Sequence, residues 1–576
     1  MDRRPAPLVV ALVLVPLAWA AACSGSSGVV PEGTGGATPD GVAPGSPGAG
    51  APSPEGGASG EQGDAPLACG DGSALPPGFL AEGGRLRATC AGEELVVEAW
   101  DEGVVHLRHG PPPARASWVV AASPPGEGVV GSAGGKALVC GGGLTVTVEP
   151  GTCAVAVRDG MGYLLLGHDD FAFRRRRLPP ADGAEPVPVT SVRWDLLPGE
   201  RIYGLGLRTG EALDRRGRVF EMWNTDAYDP RFIGFAPDAD PLYESIPFHV
   251  GLRGGVAYGL YTDNTHRLRV DAGKADPARL EVTAFGGALD QYVVAGPAIE
   301  AVLARYTRLT GRAARPPRWA LGYHQSRWDG PCDGAPAEKR FCTADGVRGV
   351  AQELRRRGLP ADALWLDIQH MDGFRTFTFD KGRFPAPERL AEDLAGEGLH
   401  LVAIAGPGLK VDPGYATYAR YVDAGALLRT AAGEPYVGEV WPGPSVFPDF
   451  SHPAARRLWR DETADLARRG IAGVWIDMNE PASFVGGTVP SELPAYGDGV
   501  PTTMHEVHNA YALLEARATR EGLLAARPDE RPFVLSRAAF AGQQAESAVW
   551  TGDAPSTWAS LRQTLPMLLG LSLSGV

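Results

Sequence analysis

Three short apolar runs each end in an aspartate. Ala363–Leu366 leads into Asp367, Gly473–Ile476 into Asp477, and Ala548–Gly552 into Asp553, while Phe533–Ser536 runs into Arg537. Trp365, Trp475 and Trp550 lie beside the three acids. Carboxylates and a guanidinium hydrogen-bond sugar hydroxyls, and aromatic faces pack on the C–H groups of a pyranose ring. Any one of these acids alone reads as an ordinary loop residue; together they describe a sugar site. Two carboxylates about 5 Å apart can hydrolyse a glycoside with retention, one as nucleophile and one as acid/base. The acid must keep its proton near neutrality, which partial burial and a neighbouring carboxylate both favour. Strand order alone leaves the two roles unassigned.

For these groups to converge, the runs must be parallel strands that end on one face. The texture of the chain after Pro316 and Pro317 fits: short strand candidates at Trp319–Tyr323, Ala363–Leu366, Leu401–Ala405, Gly473–Ile476, Phe533–Ser536 and Ala548–Thr551 alternate with helical patterns. Helices are predicted over Val347–Arg357, Pro387–Glu397 and Pro453–Arg469, each stopped by the next glycine, and over His505–Leu524 and Ser556–Leu569. Strand–helix alternation of this kind predicts a (β/α)8 barrel over residues 316–576, with its chemistry at the C-terminal strand ends. About six of its strands are present. Residues 68–315 read differently. Glu94–Trp100, Val104–Arg108 and Leu144–Glu149 alternate or run apolar between Gly and Pro breaks, with one helical stretch at 297–310, so a β-sandwich is predicted.

Composition narrows the partners. The net charge of −14 over 576 residues argues against nucleic acid, which demands clustered cations, and favours a neutral or weakly charged ligand. Residues 1–22 have the form of an export signal: Arg3 and Arg4, an apolar Leu8–Leu17, then Ala20, Ala21 and Ala22 before Cys23. That order is similar to a bacterial lipoprotein cleavage site, which makes Cys23 the expected lipidated terminus and the protein an exported, membrane-anchored one, periplasmic or at the cell surface. An ordinary secretory signal is the alternative. Residues 23–67, almost all Gly, Ser, Pro and Ala, read as a flexible tether. The other cysteines are Cys69, Cys90, Cys140, Cys153, Cys332 and Cys342. Six cysteines in an exported protein suggest disulfides, with fifteen pairings open. Neighbour pairs (69–90, 140–153, 332–342) are expected because each closes a short loop. No Cys-x-x-Cys spacing supports a metal site.

The stretch Gly473–Phe484, which contains Trp-Ile-Asp-Met-Asn-Glu-Pro, resembles family 31 glycoside hydrolases, the α-glucosidase and α-xylosidase group. The likeness runs from about residue 200 to 576 and includes Arg201–Gly206, Met222–Ala227, Pro241–Phe248, Tyr258–Thr265, Met371–Asp380, Val440–Gly443, Phe447–Phe450 and Trp550–Asp553. The resemblance implies a metal-free, cofactor-free mechanism with Asp477 as nucleophile and Asp553 as acid/base. It further implies Asp367 as the carboxylate that binds distal hydroxyls, Arg537 as a substrate-binding cation, and Trp441, Trp475, Met478 and Trp550 as pocket walls. A sandwich loop around Asp226 is expected at the pocket rim. The chain departs from the family pattern at Gly406, Gln369, Ala545 and Ala554, and carries an insert at 331–342.

The expected activity is hydrolysis of terminal α-linked glucose from oligosaccharides. α-Xylosidase, sulfoquinovosidase or transglucosidase activity are alternatives within the family, and an inactive glycan-binding surface protein is the alternative outside it. Because Leu571–Val576 falls where a seventh strand is due, a longer natural chain is expected. Neither linkage preference nor oligomeric state is encoded legibly.

Overall fold

A computed structural model describes residues 69–576 except 71–72, 91, 121–127, 169–173, 179–186, 331 and 333–339. The export signal, Cys23 and the tether lie outside the described residues.

The N-terminal half is a layered β domain. An eight-stranded antiparallel sheet takes strands from Phe79–Glu82, Arg85–Cys90, Glu93–Asp101 and Val104–His109, then Leu289–Ala295, Val256–Thr262, Phe248–Arg253 and Arg201–Gly204. A five-stranded sheet runs through Arg174–Leu178, Val187–Asp195, Arg279–Ala284, Leu268–Ala272 and Val219–Met222. A third, from Val129 to Gly167, is a simple meander. Alternate residues of all three, such as Val97 and Leu107, Trp194 and Val282, and Val139 and Val146, meet in one buried core, as the period-2 pattern requires. Two disulfides close this layer and correct the expected neighbour pairing: Cys69 joins Cys140 and Cys90 joins Cys153. Cys90 ends a strand of the eight-stranded sheet whereas Cys140 and Cys153 belong to the meander packed against it, so the nearest cysteine in space is not the nearest in the chain. Cys332 pairs with Cys342 as expected.

The C-terminal half contains a six-stranded, all-parallel sheet in chain order: β1 (His324–Ser326), β2 (Ala363–Leu366), β3 (His400–Ala405), β4 (Gly473–Ile476), β5 (Val534–Ser536) and β6 (Ala548–Val549). Helices Ala344–Arg356, Pro387–Gly396 and Pro453–Arg468 lie between strands, and Gly358, Gly398 and Gly470 follow them with positive φ. The first strand is displaced from its predicted place. Arg318–Leu321 is a single 3-10 turn after Pro317, and Trp319 and Ala320 pack with Ala363, Val402 and Phe533. An apolar run that fills the barrel floor looks like a strand in sequence. The helix predicted over His505–Leu524 breaks into Met504–Val507, a 3-10 turn at His508–Ala510, and Tyr511–Ala526.

The two halves share a core. Val104, Tyr243, Phe248 and Tyr306 from the N-terminal half pack with Leu513, Phe540, Met567 and Leu571 from the barrel half. Glu244 bridges to Ala539 as an extra rung. This junction brings a sandwich loop over the strand ends.

Candidate active site

The four predicted side chains meet at the C-terminal ends of β2, β4, β5 and β6. The Asp477 amide donates to the Ala405 carbonyl and that of Arg537 to Ile476 (3.0 and 3.1 Å), so both residues extend the parallel ladder by one rung. Met478 then turns into the left-handed region (φ 61°), a conformation that costs a non-glycine residue energy and persists where the surroundings over-determine it.

Arg537 is the hub. Its guanidinium donates two 2.8 Å bonds, from Nε and Nη2, to the carboxylate of Glu480. Nε also stands 3.2 Å from Asp477, Nη2 3.4 Å from Asp226 and Nη1 3.9 Å from Asp553. Met478 Sδ lies 3.2 Å from Nη2, and the guanidinium sits 5.2 Å over the Tyr243 ring. One cation therefore joins four carboxylates, three from the barrel and one from the sandwich. Arg537 and Glu480 are buried; Asp553 is 42 % exposed and stands at the mouth.

The electrostatics follow from burial and crowding. Burial pushes the Asp477 carboxyl up, Arg537 pulls it down and Asp553 pushes it up again, leaving it at about 6. Asp553 is raised by burial, against the pull of Arg537, with Asp226 and Glu480 adding to the rise. Asp367 reaches about 7: burial dominates, the Ile368 amide opposes it, and Asp477, Asp553 and Asp329 add repulsion. Its Oδ1 accepts from that amide at 2.7 Å. Like charges that cannot all ionise together divide into proton holders and bases.

Aromatic walls frame the cluster. Trp475 stands edge-on to Trp550 (5.6 Å) and tilted to Trp365 (6.0 Å). Trp441 is half-exposed at the rim between Phe484 (5.2 Å) and Trp328 (6.2 Å). At the β3 end, a Cβ on Gly406 would meet the Asp477 carbonyl at an ordinary 3.5 Å. The wall there has room for a side chain and carries none. Gln369 turns away and donates to the Gly330 carbonyl at 3.3 Å, anchoring the start of the insert.

Asp367, Asp477, Met478, Arg537, Asp553, Trp475 and Trp550 gather here and Asp226 joins them, while Trp441 packs with Phe484 and Trp328. Glu480, Tyr243, Phe484, Trp328 and Asp329 escaped the sequence reading as site residues. Glu480 carried a usable signal, an acid three residues past Asp477 on a turn. The others come from loops whose approach only tertiary structure decides.

Comparison with known proteins gives the following. The TIM-barrel domain of glycosyl hydrolases family 31 matches residues 313–576, and the family's N-terminal galactose mutarotase-like domain matches 94–271. Alpha-glucosidase 2 of Bacillus thermoamyloliquefaciens is 42 % identical over 378 residues, 66 % of this chain and 46 % of that protein. The alpha-glucosidase of Saccharolobus solfataricus is 33 % identical over 398 residues, 66 % of this chain and 54 % of the relative. The chain thus spans about half the length of the curated relatives it matches. Among solved structures, the Flavobacterium johnsoniae dextranase complexed with glucose superposes with a TM-score of 0.75 at 22 % identity, covering 87 % of this chain and 60 % of that one. A soil-metagenome α-xylosidase complexed with xylose gives 0.72 at 23 % identity, covering 86 % and 71 %. At that identity the superpositions speak to the fold.

Proposed function

The chain belongs to glycosyl hydrolases family 31, and from that premise we propose that it forms the catalytic half of a retaining α-glycosidase releasing terminal α-linked glucose from oligosaccharides. The observation that carries this reading is the placement of Asp477 and Asp553 around one guanidinium, Arg537, at 3.2 and 3.9 Å.

In the first step Asp477 attacks the anomeric carbon from the β face, opposite the bond that breaks, while Asp553 donates its proton to the departing glycosidic oxygen. An ester to Asp477 forms as the glycosidic bond breaks. Esterification removes one of the negative charges around Arg537. Asp477 and Asp553 repel each other while both are charged, so the acidity of Asp553 rises at that moment. Asp553 then takes a proton from water, whose oxygen opens the ester with a second inversion and net retention. Asp367 holds distal hydroxyls, and Trp441, Trp475 and Trp550 pack on the ring. Arg537 keeps the crowded carboxylates compatible.

The lipid at Cys23 and the 23–67 tether would hold this enzyme at a membrane, a reading supported by the charged, apolar and small-residue order of the first 23 residues. The decisive experiment follows the anomer released from an α-glucoside by proton NMR. Initial release of α-glucose supports the reading; initial β-glucose, or no turnover by the full-length protein on any α-glycoside, overturns it.

A further inference from the structure

Helix Tyr511–Ala526 passes beneath the nucleophile loop and carries two carboxyls, the exposed Glu521 and Glu515, which sits among buried apolar residues. It is fully buried, and among the described residues neither carboxyl oxygen meets a well-formed hydrogen bond. A buried polar group left so is costly and calls for an explanation. The groups facing it are Asn479, Glu480 and Asp477 from the nucleophile loop, Tyr421 from helix Ala416–Asp423, and Tyr511 on its own helix. Both phenols are committed elsewhere: Tyr511 donates to the Pro448 carbonyl (2.9 Å) and Tyr421 to Ala455 (3.3 Å). Asn479 is the partner left.

Asn479 already clamps the two catalytic strand ends together. Its Nδ2 donates to Ser536 Oγ and its Oδ1 accepts from the Ala538 amide, each at 3.0 Å. Arg537 lies between those two attachment points. After these bonds the amide retains one donor and one acceptor. A protonated carboxyl offers one of each, whereas a carboxylate offers acceptors alone. A fifth negative charge behind Asp477 and Glu480 would also go uncompensated, since Arg537 already serves four acids.

Resting on the glycosidase reading, we propose that Glu515 is a positioning residue: as a neutral carboxylic acid it pairs with the Asn479 amide and so fixes the Asp477 loop against Arg537. Burial drives its carboxyl well above the usual range, consistent with that protonation.

The test uses the full-length protein with Glu515→Gln and Glu515→Leu, read on an aryl α-glucoside. Glutamine presents the same donor and acceptor, so Glu515→Gln keeps kcat within about twofold and leaves both limbs of the pH profile in place. Leucine fills the volume without pairing Asn479. It lowers kcat by about tenfold to a hundredfold at KM changed less than about threefold, and the Asn479 amide it leaves unpaired lowers the thermal midpoint as well. Wild-type kcat in Glu515→Leu would overturn the proposal. So would a Glu515→Gln variant as slow as the leucine variant, or one whose acid limb moves down, because either marks an ionised Glu515. Should Glu515→Leu fail to fold, the glutamine variant still decides. Infrared difference spectra separate this inference from the functional reading: a protonated-carboxyl band present in wild type and absent in Glu515→Gln supports it even if turnover is never found, and its absence from wild type defeats it.

Discussion

At the residue scale the site is a problem in charge accounting. Four carboxylates surround one guanidinium, and the proposed function requires that Asp477 be ionised while Asp553 keeps a proton. Asp477 at about 6 and Asp553 raised by burial give a bell-shaped dependence of kcat/KM. The acid limb lies near pH 6, where Asp477 loses its proton, and the alkaline limb lies where Asp553 loses its own. A profile still rising above pH 9 would contradict the assignment. The same two residues separate by substrate. Asp553→Ala is expected to slow natural oligosaccharides by about a hundredfold or more while sparing substrates whose leaving group needs no proton; Asp477→Ala silences both. Equal losses on both substrates in Asp553→Ala would remove it from the acid role. Asp367 makes a stability prediction. Its carboxyl at about 7 in the fold lies above the ordinary aspartate value. The folded state thus holds the proton more tightly, and this group's contribution to stability falls as pH rises from about 4 to 7. Asp367→Asn abolishes that slope, checked by thermal midpoints across the window, and costs activity by loosening the sugar.

Elements decide which of these residues could be foreseen. Asp367, Asp477 and Arg537 were legible because a parallel strand announces itself as a short apolar run and its next residue faces the barrel mouth; Asp553 follows its two-residue strand, Ala548–Val549, by four residues in the same apolar run. Glu480 was harder. It sits after Met478, whose positive φ swings the chain back so that the acid reaches Arg537, and no local propensity predicts that turn in a methionine. The strand at 319–323 was misplaced for a related reason: Trp319 and Ala320 are apolar because they pack on the barrel floor, and periodicity cannot separate that from pairing. The disulfides failed on topology, since Cys69–Cys140 and Cys90–Cys153 span 71 and 63 residues across sheets where loop length had favoured neighbours. Two predictions belong here. The Glu480–Arg537 fork straps the loop after β4 to the end of β5. Glu480→Leu leaves a buried guanidinium short of its main partner and destabilises by about 3–5 kcal/mol, read from the denaturant midpoint. Cys90→Ser with Cys153→Ser costs about 2–4 kcal/mol through the unfolded chain, and should lower the midpoint while leaving kcat unchanged, because that bridge lies in the sandwich core.

At the scale of the whole molecule the site belongs to neither half alone. Asp226 and Tyr243 reach Arg537 from the sandwich, and what holds them there is a lock just upstream. The Asn224 amide donates to Asn509 Oδ1 (2.9 Å), its side chain donates to the Asn509 carbonyl (3.3 Å), and its carbonyl pairs with His508 Nε2 (2.8 Å). Trp223 stacks flat on the His508 ring at 3.7 Å. These bonds explain why the predicted helix breaks at His508–Ala510: the backbone there turns to receive the sandwich loop rather than continue its own ladder. The lock sits two residues from Asp226, so its work is to present that carboxylate. The prediction is a coupling. Asp226→Ala and Asn224→Ala each lower kcat/KM on a disaccharide, by about tenfold if one charge-assisted contact is lost. Combined, they cost no more than the larger single loss, because Asn224 acts through a residue already removed. Additive losses would mean that Asn224 serves the site by another route, through Ser245, whose amide donates to its Oδ1 at 2.9 Å, and thus through Tyr243 and the shared core.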